Sequence, residues 1–205
     1  MTVSSHSGQG AEAEAFYTQV GRALQEWSQV EDYLFQIFCE VCGIRDGVKA
    51  AAVFGSIVAF DARLRVVDTL MRLELKGTEH LPVWSRLAAR LAKFYKKRHE
   101  LAHFSVMTKK TGMPDGTQKV RVEFQPFYSM ASAMTGRNKT LSSSEIELRI
   151  RHFEELREAV WYFATVFIQK RTPQLGFRLR EPDLIRQLRT LDAQTPEAPA
   201  PPPQS

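Results

Sequence analysis

Cysteine is scarce: Cys39 and Cys42, both in "FCEVCG", are the only two in 205 residues. A disulfide framework is therefore excluded as the organising device, and a reducing, cytoplasmic setting is expected. The C-x-x-C spacing matches half of a zinc site, but no second cysteine pair exists to complete it, so a metal is not expected there. Long apolar runs are also missing. The longest, "AVWYFATVFI" at 159–168, is far short of the ~20 residues a membrane span needs, so no membrane association is expected. The opening "MTVSSHSGQGAEAEAF" has neither the basic nor the apolar segment of a secretory signal. Residues 1–10 read as a disordered tail. Internal repeats are absent. Proline is concentrated at the far end, where "AQTPEAPAPPPQS" reads as disordered.

Amphipathic helices are what the chain has in abundance. Phe16, Val20, Leu24, Trp27, Leu34, Phe38 and Val41 recur at three- and four-residue spacing and predict a helix over about 11–42, with Gly43 as its stop. A short helix is expected around 47–55. A longer one is expected around 57–75, with Leu64, Val67, Leu70 and Met71 on its apolar face and Gly77 at its end. Pro82 suits the first turn of a helix running to about 103, whose stripe is Trp84, Leu87, Leu91, Phe94, Leu101 and Ala102. The period then changes. "FSVMTKK" and "KVRVEFQPF" are β-prone and flank "TGMPDGTQ", which predicts a β-hairpin inserted before the last long helix. Residues 129–143 read as a loop. Either Ser142 with Glu145 or Ser144 with Glu147 makes a capping box for a final long helix ending near Arg171. A short docking helix fits 182–192. The expected class is all-α: one domain over 11–172, built as a bundle of four main helices plus a short one, followed by a Pro-rich, mostly disordered tail over 173–205.

The net charge of +5 is unevenly spread. Residues 1–48 hold two arginines against seven acids, a balance of −5, so residues 49–205 carry +10. Such polarity suits a polyanionic partner or an acidic companion protein. A solubilising surface has the same signature. The acidic first helix and the apolar run at 159–168 are the candidate partner surfaces, with core burial the alternative for the run.

One stretch carries chemistry, "YKKRHELAHF" at 95–104, and it reads two ways. His99-Glu100-Leu101-Ala102-His103 is H-E-x-x-H, in which two histidines bind zinc and the glutamate is the base. Three cations, Lys96, Lys97 and Arg98, precede it, an unfavourable neighbourhood for a dication. The extended form of the motif fails, with Val106 in place of Gly and Lys109 in place of His. The second reading starts at Arg98. With Trp84 at 0° and about 100° per residue, the apolar stripe spans roughly 260° to 20°, and Arg98 falls near 320°, inside it. On the same scale His99 and His103 lie near 60° and 100°, and Arg86, Arg90, Lys93 and Lys97 between about 180° and 240°. A cation in an apolar stripe needs a partner or a ligand. Glu31, centred in the first helix's stripe, is the expected partner, with Asp61 and Asp68 as alternatives. The other four cations are candidates for tracking a nucleic-acid backbone, or a solvated face.

Taken together, "WSQVEDYLFQIF", "AVFGSIVAFDARLRVVDTLM", "KKRHELAHF" and "LSSSEIELRIRHFEEL" resemble the HEPN superfamily (higher eukaryotes and prokaryotes nucleotide-binding domains) over about 11–172. The family motif, Arg, a polar residue, a few residues and then His, is filled by Arg98, His99 and His103. Some members have Tyr two residues after the motif His; here that residue is Ser105. The resemblance implies a HEPN-like bundle and a homodimer in which two motifs share one cleft. It also implies metal- and cofactor-free cleavage of RNA, and a toxin or anti-phage defence setting with an antitoxin or defence partner. Histidine suits proton transfer because it ionises near ~6.5, and arginine can grip phosphate bidentately. Many members of the family only bind, so a non-catalytic nucleotide- or RNA-binding adaptor is the alternative, and zinc proteolysis a further one.

Overall fold

The computed structural model describes residues 6–113, 118–126, 140–171 and 179–193. The expected tails at 1–5 and 194–205, the turn at 114–117, most of the loop at 129–143 and the link at 172–178 lie outside the described residues. The chain is mainly helical. In order come α1 (His6–Cys42), α2 (Gly47–Ser56), α3 (Phe60–Glu74), α4 (His80–Ala102), strands β1 (Phe104–Gly112) and β2 (Gln118–Pro126), then α5 (Ser143–Arg171) and α6 (Asp183–Ala193). The strands pair antiparallel, from Phe104 opposite Pro126 to Gly112 opposite Gln118.

The ends of the helices follow from local chemistry. α1 starts at His6, five residues before its periodic stretch, so 6–10 are helical rather than a tail. It stops where Gly43 takes φ 67°, a left-handed conformation that costs glycine little, and Ile44 N turns back to Cys39 O at 3.1 Å. Asp46 caps α2 by accepting from Val48 N and Lys49 N. Of the two possible capping boxes before α5, Ser142 and Glu145 form it: Glu145 N donates to Ser142 Oγ at 3.3 Å and Ser142 N to Glu145 Oε2 at 2.8 Å. Gly77, at φ 77°, follows α3.

Two compact units emerge, residues 1–33 with 91–157 and residues 34–90 with 158–205. α1, α4 and α5 each contribute to both. In the first unit, Trp27 is fully buried and packs edge-on against Phe153, with ring centroids 5.2 Å apart. Val30, Leu91, Leu101, Ile146, Ile150 and Leu156 belong to the same unit's buried set. The second unit repeats the device: Trp84 is fully buried and meets Phe163 edge-on at 5.3 Å. Each indole N–H is satisfied by a carboxylate, Trp27 Nε1 by Glu31 Oε1 at 2.8 Å and Trp84 Nε1 by Asp68 Oδ1 at 3.0 Å. The apolar run at 159–168 supplies Ala159, Val160, Phe163, Ala164 and Phe167 to the core, while Trp161 remains 41% exposed. α6 buries Leu184, Ile185 and Leu188. No helix among the described residues is long and apolar enough to cross a membrane.

Candidate functional site

The last two turns of α4 lie in the first unit and carry the motif. Tyr95, His99 and His103 stand at successive i, i+4 positions, so their rings form a row along one side of the helix. The Tyr95 and His99 centroids are 6.3 Å apart, and those of His99 and His103 4.3 Å, edge to face. Trp27 flanks the start of the row, 6.2 Å from Tyr95. His99 is exposed and His103 half-buried. His103 is also the junction: its N donates to Glu100 O at 3.2 Å, and β1 begins one residue later. Its backbone is therefore restrained from both sides.

Arg98 is half-buried, and its Nε is buried without a hydrogen-bond partner. The expected Glu31–Arg98 pair is not among the ion pairs of the described residues. Glu31 instead accepts from Trp27, one turn earlier on the same helix. A fully buried indole N–H needs an acceptor, and an i, i+4 carboxylate supplies one without any chain crossing. Asp68 is likewise taken, by Trp84 and by Arg72 Nε at 2.9 Å. Arg98 thus keeps a desolvated N–H donor at the end of a basic helix segment. On an ideal helix Arg98 and His103 are about 7.5 Å apart along the axis and ~140° apart around it.

Glu100, half-buried, is salt-bridged. The Arg149 guanidinium of α5, only 7% exposed, donates through Nη2 to Glu100 Oε2 at 2.7 Å and through Nη1 to Lys97 O at 3.1 Å. Sequence reasoning passed over Arg149, although a signal existed. It sits within the stripe Ile146, Ile150, Phe153, the same anomaly that singled out Arg98.

The four further cations differ in their fates. Arg86 Nη1 donates to Leu188 O at 2.6 Å, which ties α4 to α6 within the second unit. Arg90 is half-buried, Lys93 is exposed, and Lys97 is half-buried with its carbonyl held by Arg149. Charges of both signs on α1 are engaged internally: Arg157 Nη1 of α5 donates to Glu26 at 2.7 Å, and Arg22 Nη2 donates to Glu154 of α5 at 2.6 Å. Among the described residues no group of three or more His, Cys, Asp or Glu side chains is placed to hold a metal ion. The second unit has a cavity of 430 Å³ whose lining includes His80, Tyr162, Phe163 and Phe167. Burial pushes the Tyr162 phenol above its ordinary value. No protein-family model matches the chain, and neither a curated protein nor a solved structure does.

Proposed function

We propose that this protein is a metal-independent endoribonuclease of the HEPN type, acting at a site shared by two copies of the chain. On this reading the helices form a HEPN-like bundle with the β-hairpin as an insertion before α5. The observation that carries it is Arg98, a half-buried guanidinium with an unsatisfied Nε, five residues before His103 at the end of α4. A desolvated N–H donor without a hydrogen-bond partner among the described residues is suited to a phosphate oxygen.

The reaction is transesterification. The ribose 2′-oxygen attacks the adjacent phosphorus, the 2′ proton passes to an imidazole, and the P–O5′ bond breaks. A protonated imidazole returns a proton to the leaving 5′-oxygen, so the products are a 2′,3′-cyclic phosphate and a 5′-hydroxyl. His103 is the proton-transfer group, Arg98 neutralises the phosphorane, and His99 orients the His103 ring that it touches. One His103 fills one of the two proton-transfer roles, and Arg98 diverges from it around the helix. A second copy supplies the missing members. Lys93 and Lys97 are the cations best placed to follow the RNA backbone, joined by Arg90; Arg86 contributes mainly to holding α6. A toxin or anti-phage defence role, with an antitoxin or defence-system partner in the cytoplasm, fits this activity.

The zinc-protease reading needs Glu100 as a base, and Glu100 is engaged by the Arg149 guanidinium. The binding-module reading uses the same Arg98 donor without the chemistry. A mixed RNA ladder separates the three. Cleavage in EDTA with cyclic-phosphate ends supports the nuclease, retention of intact RNA supports the module, and chelator-sensitive peptide hydrolysis supports the protease.

A further inference from the structure

We infer that Arg149 is the positioning residue of the Arg98–His103 site, an inference that rests on the nuclease reading given above. Arg149 comes from α5 and has more than nine-tenths of its side chain out of water, 8% exposed against 36% for Glu100. Its two terminal nitrogens bridge two acceptors one turn apart on α4, the carbonyl of Lys97 and the carboxylate of Glu100. Arg98 and His99 are the residues between those acceptors. Glu100 in turn accepts through its own carbonyl from His103 N. A continuous path therefore runs from the Arg149 guanidinium through Glu100 to the His103 backbone, and it encloses the turn that carries Arg98 and His99.

The end of a helix is where such a brace matters, because the final turn frays, and the brace grips α4 at Lys97, just before that turn, and at Glu100, within it. A planar guanidinium can hold both acceptors at fixed separation, whereas a lysine ammonium is a single point charge on a flexible stem. The pair Arg157–Glu26 on the same helix is equally short, 2.7 Å, but its acceptor lies on α1 rather than on α4. It serves as the internal control.

The test uses the full chain with Arg149→Lys, Glu100→Gln and Arg157→Lys. Two readouts are taken: steady-state cleavage of an RNA oligonucleotide, and the imidazole resonances of the five histidines by NMR. Arg149→Lys keeps the charge and Glu100→Gln keeps an acceptor oxygen, which guards against unfolding. Both should lower kcat on the order of 10- to 100-fold with KM changed less than about twofold, because the site is misplaced rather than unable to bind. Both should also shift the His99 and His103 ring signals while His80 stays put. Arg157→Lys should match wild type in both readouts. Wild-type kcat together with unmoved His99 and His103 signals in Arg149→Lys would overturn the inference. So would an activity loss that only tracks the folded fraction. If the wild-type chain cleaves no RNA, the nuclease reading fails, and the ring signals alone decide whether Arg149 positions the turn.

Discussion

A guanidinium withdrawn from water requires acceptors, and Arg98 and Arg149 of the first unit meet this requirement differently. Arg149 donates through both terminal nitrogens; Arg98 retains an unpartnered Nε among the described residues. Removing Arg98 should therefore remove function more than stability, whereas removing Arg149 strands the Glu100 carboxylate. The cysteines give a second residue-scale expectation. Burial, then the neighbouring Glu40 carboxylate and Cys42, hold the Cys39 thiol above its ordinary pKa, while Cys42 is exposed. Iodoacetamide at neutral pH, followed by mass spectrometry, should modify Cys42 first and Cys39 more slowly; equal rates would contradict the burial described. Arg98 was legible from the sequence because helix angles report which face a residue occupies. Its partner was not legible. An angle reports a face and not the acceptor across it, and Glu31 accepts from the Trp27 indole one turn away. Arg149 lay in an equally anomalous place in its own stripe, but no motif drew attention to it.

At the scale of elements, the buried tryptophans organise each unit. Trp27→Ala and Trp84→Ala should each cost ~3–5 kcal/mol in urea unfolding, from lost burial and the cavity left behind. Trp161→Phe, at 41% exposure, should stay within ~0.5 kcal/mol. Asp46 offers a pH test. Donation from Lys49 N and the Lys49 side chain, opposed by desolvation and aided by donation from Val48 N, holds its carboxyl below the ordinary 3.8. Its capping contribution is therefore present above that ordinary value and is lost as pH falls through the lowered folded value. Asp46→Asn should retain the cap in acid, and Asp46→Ala should lose it at every pH, read as amide-exchange protection of α2. Most helices could be located in the sequence to within a few residues, since three- and four-residue spacing and caps such as Gly43 and Ser142 are local signals. The start of α1 could not, because "HSGQG" holds no apolar position to reveal its helical state.

For the whole molecule, the uneven charge has an internal component. Glu26 of α1 is engaged by Arg157 and Glu154 of α5 by Arg22, two pairs that join α1 to α5 within the first unit, so one α1 acid and one α1 cation have structural roles. The α4 cations Lys93 and Lys97 remain the basic face nearest the motif. The shared-site reading expects a two-chain mass by light scattering for the wild type, Arg98→Ala and His103→Ala alike. The most direct test is cleavage of a mixed RNA ladder in the presence of EDTA, with end-group analysis of the products. The account predicts fragments ending in 2′,3′-cyclic phosphate from the wild-type dimer, and rates lowered by about 100-fold or more in Arg98→Ala and His103→Ala. Intact RNA with the wild-type protein, or undiminished cleavage by His103→Ala, would contradict it.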